Sequence, residues 1–129
     1  MDRGETTAQA VLAVPVLLLF LLFGIQVTLY FHTAQLAAIA AQDGAIAGAA
    51  VRGSEIHAIA AVVKSAAELR ASEAKAPVVR RGISEIQVEV SLNVPSILPL
   101  FPTSVTRSAS EPLERFVLEA ERRVLNREV

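Results

Sequence analysis

At 129 residues the chain has room for one small domain. Its net charge of -1 gives no electrostatic reason to bind nucleic acid, and the absence of cysteine excludes disulfides, Cys-based metal centres and thiol catalysis. Hydrophobic residues make up 53% of the chain but aromatics only 5%, so the apolar content is Ala, Val and Leu, much of it between Val11 and Ala50.

No Asp, Glu, Lys or Arg occurs between Glu5 and Asp43. Within that stretch Val11 to Phe31 reads VLAVPVLLLFLLFGIQVTLYF, about the 20 apolar residues needed to cross a hydrocarbon core roughly 30 Å thick. Most positions are Leu, Val, Ile or Phe, each worth roughly -0.3 to -0.6 kcal/mol near the membrane centre, which outweighs Pro15, Gly24, Gln26 and Thr28. Pro15 is expected to kink the helix without breaking it. The amine and Arg3 before the run, against no Lys or Arg after it until Arg52, favour an N-terminus inside the cell and a C-terminus outside. The alternative is a signal peptide cut at a small-residue site such as Ala38-Ile39-Ala40, but a signal core spans only about 7 to 15 residues.

Beyond Phe31 the sequence continues as FHTAQLAAIAAQDGAIAGAAV, rich in the best helix former and free of Pro. One helix is predicted from Thr6 to Val51, on the order of 65 Å long at 1.5 Å per residue. That is about twice the thickness of a bilayer core, so the upper half must pack on something other than lipid. Ala37, Ala40, Ala41, Gly44, Ala47 and Gly48 offer a small-residue face that lets another helix approach closely. Two readings of that face stand side by side: packing against other subunits, and packing against the chain's own domain. Gly44 and Gly48 are also compatible with a hinge near Asp43.

A turn at Gly53-Ser54, with Ser54 as N-cap, predicts a second helix from Glu55 to Ala74, stopped by Pro77. Its buried stripe is read as Ile56, Ile59, Ala60, Val63 and Ala67, with Lys64, Glu68 and Arg70 on other faces. Arg80-Arg81-Gly82 reads as a basic turn. Ile86, Val88, Val90 and Leu92 alternate with polar residues, the period of a half-buried strand. Asn93 to Pro102 holds Pro95, Pro99 and Pro102 and reads as a loop. Thr103 to Ala109 reads as the returning strand of a hairpin. The loop tip carries Ile97, Leu98, Leu100 and Phe101, expected to pack onto the second helix, with contact to membrane or a partner as the alternative. Ser110-Glu111-Pro112 has the signature of a helix start. Leu113, Phe116, Val117, Ala120 and Val124 follow at helical spacing, and Arg122, Arg123 and Arg127 suit the helix end.

The expected fold class is therefore α+β and helix-dominated: residues 1–5 a cytoplasmic leader, 6–51 the transmembrane helix and its Ala/Gly-rich extension, 52–129 a small extracytoplasmic domain. A domain below about 80 residues buries little core and should lean on a partner or on the anchor helix. His32 at the membrane boundary and His57 in the first turn of the second helix have no acid or second His at ligand spacing. No G-x-S-x-G or phosphate-binding glycine loop occurs. The expectation is a non-enzyme with no catalytic residues, no cofactor, no metal and no small-molecule substrate.

The run Arg3-Gly4-Glu5-Thr6-Thr7-Ala8-Gln9-Ala10-Val11-Leu12-Ala13-Val14-Pro15 resembles the start of TadE-like pilus assembly proteins, a pseudopilin-like family of the tight-adherence secretion system. Arg3, Gly4 and Pro15 match that pattern in register, and the small-residue extension through Asp43-Gly44-Ala45 and Ala49 fits it. The strand, the Pro-rich loop and Ser108-Ala109-Ser110 before Pro112 are similar to some members. The resemblance implies cutting by a prepilin peptidase between Gly4 and Glu5. It also implies partners among other pilin-like or pilus-assembly proteins at the inner membrane. Two positions depart from the pattern. The family's Glu falls on Gln9, an intramembrane polar residue without charge, and the aromatic after it falls on Ala10. A neutral Gln9 suits an uncleaved anchor. The reading is a minor pilin or assembly factor; the alternative is a generic single-pass membrane protein whose outer domain binds a partner without pilin processing.

Overall fold

The architecture of this computed structural model is set by its first helix, and the structure describes residues 2–115 together with 123, 124 and 127. α1, Asp2–Ala49, is one continuous helix of 48 residues, on the order of 72 Å long at 1.5 Å per residue. It passes through Pro15, which has no N–H to give the carbonyl of Val11. It also passes through Asp43 and Gly44 without a hinge.

The two halves of α1 live in different surroundings. From Arg3 to Ile25 nearly every residue is exposed, Leu17, Phe20 and Phe23 among them. Among the described residues α1 is the one helix long and apolar enough to cross a membrane. From Ala34 upward one face is buried: Ala34, Ala37, Ala40, Ala41, Ala45 and Ala49.

That buried face is the spine of the domain. The chain reverses at residues 50–54, where Gly53 N–H donates to the carbonyl of Ala50 at 2.7 Å. α2, Glu55–Glu68, then returns along α1. Ser54 is its N-cap, accepting from His57 N–H, as expected of a Ser before an acidic first turn. The helix ends earlier than the position of Pro77 implied. Ala71 N–H donates to the carbonyl of Ala66 and Arg70 N–H to that of Ala67, while Arg70 takes a positive φ of 54°. This paired closure with a left-handed residue ends the helix by itself, well before Pro77 is reached.

Three antiparallel strands follow, β1 (Val78–Arg81), β2 (Glu85–Asn93) and β3 (Ser104–Pro112), in the order β1-β2-β3. Arg80 and Arg81 thus belong to an edge strand and not to a turn; the turn is residues 82–84. β2 alternates as its sequence required: Ile86, Val88, Val90 and Leu92 are all fully buried. They pack with Val62 and Ala58 of α2 onto the alanines of α1, each large side chain contributing about 1.5–3 kcal/mol by its removal from water. The expected return strand exists but runs longer, so Ser110-Glu111-Pro112 pairs with Glu85 to Gln87 instead of starting a helix. Pro112 is tolerated there because it is the last residue of an edge strand. Leu113 packs at the margin of the core, and Phe116, Val117, Ala120 and Arg122 of the expected last helix lie outside the described residues.

The upper end of α1 is capped from the sheet. Arg81 Nη1 donates to the carbonyls of Gly48 at 3.2 Å and Gly53 at 2.8 Å. Glu114 N–H donates to the carbonyl of Ala49 at 2.9 Å. These satisfy carbonyls that a helix end leaves unpaired and set a cation at the negative end of its dipole.

Candidate functional site

The small-residue face proposed from the sequence faces inward. Ala37, Ala40 and Ala41 are fully buried and Gly44 and Gly48 lie in the same interface, while Ala47 is half-buried beside it. A Cβ on Gly44 would stand 2.5 Å from Val62 Cγ2 and 3.2 Å from both Val88 Cγ1 and the Ala58 carbonyl oxygen. A Cβ on Gly48 would overlap Ile86 Cδ1 and come within 2.9 Å of Ala58 Cβ. α2 and β2 therefore lie directly against the α1 backbone, and the face is filled by the chain's own domain. Polar links fix the same seam: Ser65 Oγ donates to Asp43 Oδ2 at 2.7 Å, and Gln42 bonds Glu111.

The closeness of that seam decides which side of α2 is buried. Ala58, Val62, Ser65 and Ala66 fit against α1. The expected stripe is on the outside instead: Ile56, Ile59, Ala60, Val63 and Ala67 are all exposed, Ile56 at 78%. The bulkiest apolar residues of α2 thus form an uncovered ridge on the domain surface.

Gly4, Glu5 and Gln9 sit in the first turns of α1, all exposed. Gln9 belongs to the bare lower half of the helix; the amide that matters structurally is Gln26, which is fully buried. Its Nε2 donates to the Pro95 carbonyl at 3.1 Å, and its Oε1 accepts from Ile97 N–H at 2.7 Å. Phe101 meets Phe23 edge-on, with ring centroids 5.3 Å apart. The Pro-rich loop therefore docks on the membrane segment of α1 and not on α2, which corrects the expectation for its tip. The sequence signal for this was a lone Gln inside an otherwise apolar run.

Between α1, the end of α2 and the end of β2 lies a cleft of about 360 Å³ lined by His32, Leu36, Arg70 and Asn93 among others. His32 is exposed at its rim, and His57 is held at α2's start, its Nδ1 2.7 Å from Ser54 Oγ.

The stretch that combines the bare apolar helix with the small-residue seam is also the part that resembles a known family. Residues 4–45 match the model of the TadE-like protein family. That third of the chain is similar to the family. The match takes in Gly4, the apolar run and the seam as far as Ala45, and stops before α2 and the sheet. A TadE-like segment points to a part in tight-adherence pilus assembly, and its apolar helix to a single-pass membrane protein. No curated protein and no solved structure matches the chain.

Proposed function

We propose that this chain is a minor pilin or assembly factor of a tight-adherence, type IV-like pilus. It is a non-enzymatic component held in the cell membrane by α1, with the N-terminus cytoplasmic and the domain outside. The observation that carries this reading is the TadE-like match on a helix whose lower half is left bare by its own fold. Such a helix is solvated by lipid before assembly and can be solvated by other pilin-like helices afterwards, packing side chain to side chain.

The sequence left subunit packing on Gly44 and its neighbours as one of two options. With that seam filled internally, packing above the membrane falls to the exposed ridge of α2. Contiguous exposed apolar residues of this kind mark interaction surfaces. A charge on the ridge tests this without touching the core. The double variant Ile59→Glu, Val63→Glu should keep the wild-type thermal unfolding midpoint in detergent and lose pilus assembly in cells. Normal assembly with that variant contradicts the reading. The alternative, a single-pass protein with a partner-binding domain and no pilin processing, is favoured by the neutral Gln9. It predicts an intact leader, whereas pilin-type processing predicts a mature chain starting at Glu5.

A further inference from the structure

We infer that the Pro-rich tip between β2 and β3 is a second membrane contact, seated in the leaflet on the domain's side, with phospholipid as its partner. The geometry comes from α1 itself. Arg3 and Glu5 resist burial in hydrocarbon, so the apolar core begins no lower than Glu5. At 1.5 Å per residue Phe23 stands about 27 Å up the axis from Glu5, and Gln26 about 32 Å. A hydrocarbon core is about 30 Å thick. The residues that hold the tip, Phe23 and Gln26, therefore stand at the upper edge of that core. Any tilt of α1 brings them deeper, as does any upward shift of the bilayer, and a downward shift would drag Arg3 and Glu5 into lipid.

The tip is built for that depth. Leu100 is 95% exposed and Ile97 50%, and no charged residue lies between Glu89 and Arg107. Irregular backbone does not lie bare in hydrocarbon, so the tip sits at the edge of the core, with protein bonds meeting several of its polar groups. Pro95, Pro99 and Pro102 have no N–H to satisfy. Gln26 takes the Ile97 N–H and gives to the Pro95 carbonyl. Phe101 N–H donates to Leu98 and Val94 N–H to Thr103, while Ser96 Oγ donates to the Leu98 carbonyl.

The opposite end of the sheet supplies the contrast. Ile83 in the β1–β2 turn is 91% exposed, yet it follows Arg80 and Arg81, its carbonyl accepts from Arg115, and its turn lies by the top of α1, where Glu114 meets Ala49. Exposure is similar at the two tips; surrounding charge and height along α1 differ.

Because the chain has no cysteine, single probes can be placed cleanly. The variants Leu100→Cys, Ile83→Cys and Leu18→Cys, each in the full chain, would carry an environment-sensitive fluorophore in phosphatidylcholine/phosphatidylglycerol vesicles. Nitroxides would be placed on the acyl chain near the headgroup or near its end. The probe at Leu100 should emit to the blue of that at Ile83 and lose most of its emission to the shallow nitroxide. The Ile83 probe should keep its emission with both, and the Leu18 probe should be quenched by the deep one. A Leu100 probe as unquenched as Ile83, or blue-shifted without lipid quenching, overturns the inference, the latter by placing protein on the tip. An unquenched Leu18 probe overturns the membrane span itself. The Leu100 result is independent of pilus assembly, so the tip contact and the proposed function fail separately; loss of the span at Leu18 would overturn both.

Discussion

Gly44 and Gln26 show how single residues set distances in this fold, one by lacking a side chain and the other by having the right one. At Gly44 any larger residue must displace Val62 and Val88. Gly44→Leu should therefore lower domain stability by about 1–3 kcal/mol or more through overpacking, seen as a reduced thermal unfolding midpoint in detergent; an unchanged midpoint would contradict the packing described. For the same reason that variant cannot separate a pilus interface from an internal one. Gln26→Leu removes the bonds to Pro95 and Ile97 and leaves the part-buried Ile97 N–H without its partner, a cost of about 1 kcal/mol. It should raise amide exchange at Ile97 and Leu98 while β2 stays protected, and unchanged exchange in the loop would refute the anchoring role. Local chemistry was legible here: Ser54 caps α2 because its partner His57 is three residues away. The role of Gln26 was not, because its partner Pro95 is 69 residues distant; a window around Gln26 shows a polar residue in an apolar run but not what it meets.

At the scale of elements, periodicity found β2 and the return strand and also found that α2 has two faces, but it assigned the wrong face to the core. The Ile and Val ridge is the more hydrophobic, yet α1 and α2 approach so closely at Gly44 and Gly48 that only Ala58, Val62, Ser65 and Ala66 fit between them. Steric fit overrode hydrophobicity. β1 was hidden because two arginines in a four-residue edge strand look like a turn; such charges are what protect an exposed edge from pairing with another chain. Ser110-Glu111-Pro112 carries a helix-start pattern, but pairing with β2 outweighs it. The end of α2 gives a prediction. Arg70 holds a left-handed conformation, which costs a residue with a Cβ roughly 1–2 kcal/mol and glycine little. Arg70→Gly should raise the domain's stability by up to about 1 kcal/mol, part of the gain being lost to the greater freedom of glycine in the unfolded chain. A lower unfolding midpoint would contradict the closure described at Arg70.

For the molecule as a whole, the long helix was the most legible feature and its double use the least. Composition and the uncharged stretch from Thr6 to Gln42 mark a membrane helix, and its length demands packing above the bilayer. Whether the Ala/Gly face meets another subunit or its own domain is a tertiary question that spacing leaves open. The structure answers it by placing Ala34 to Ala49 at the centre of the core, which is how so short a domain obtains a buried interior. Membrane anchor and domain core are then one element, and the chain cannot lose one without the other. The mature N-terminus, read by mass spectrometry of protein taken from membranes, tests this most directly. The chain should begin at or before Glu5, keeping α1 from Glu5 onward. A mature chain beginning at Ala41 would have discarded Ala34, Ala37 and Ala40 with the membrane span, and would contradict a domain built on its own anchor.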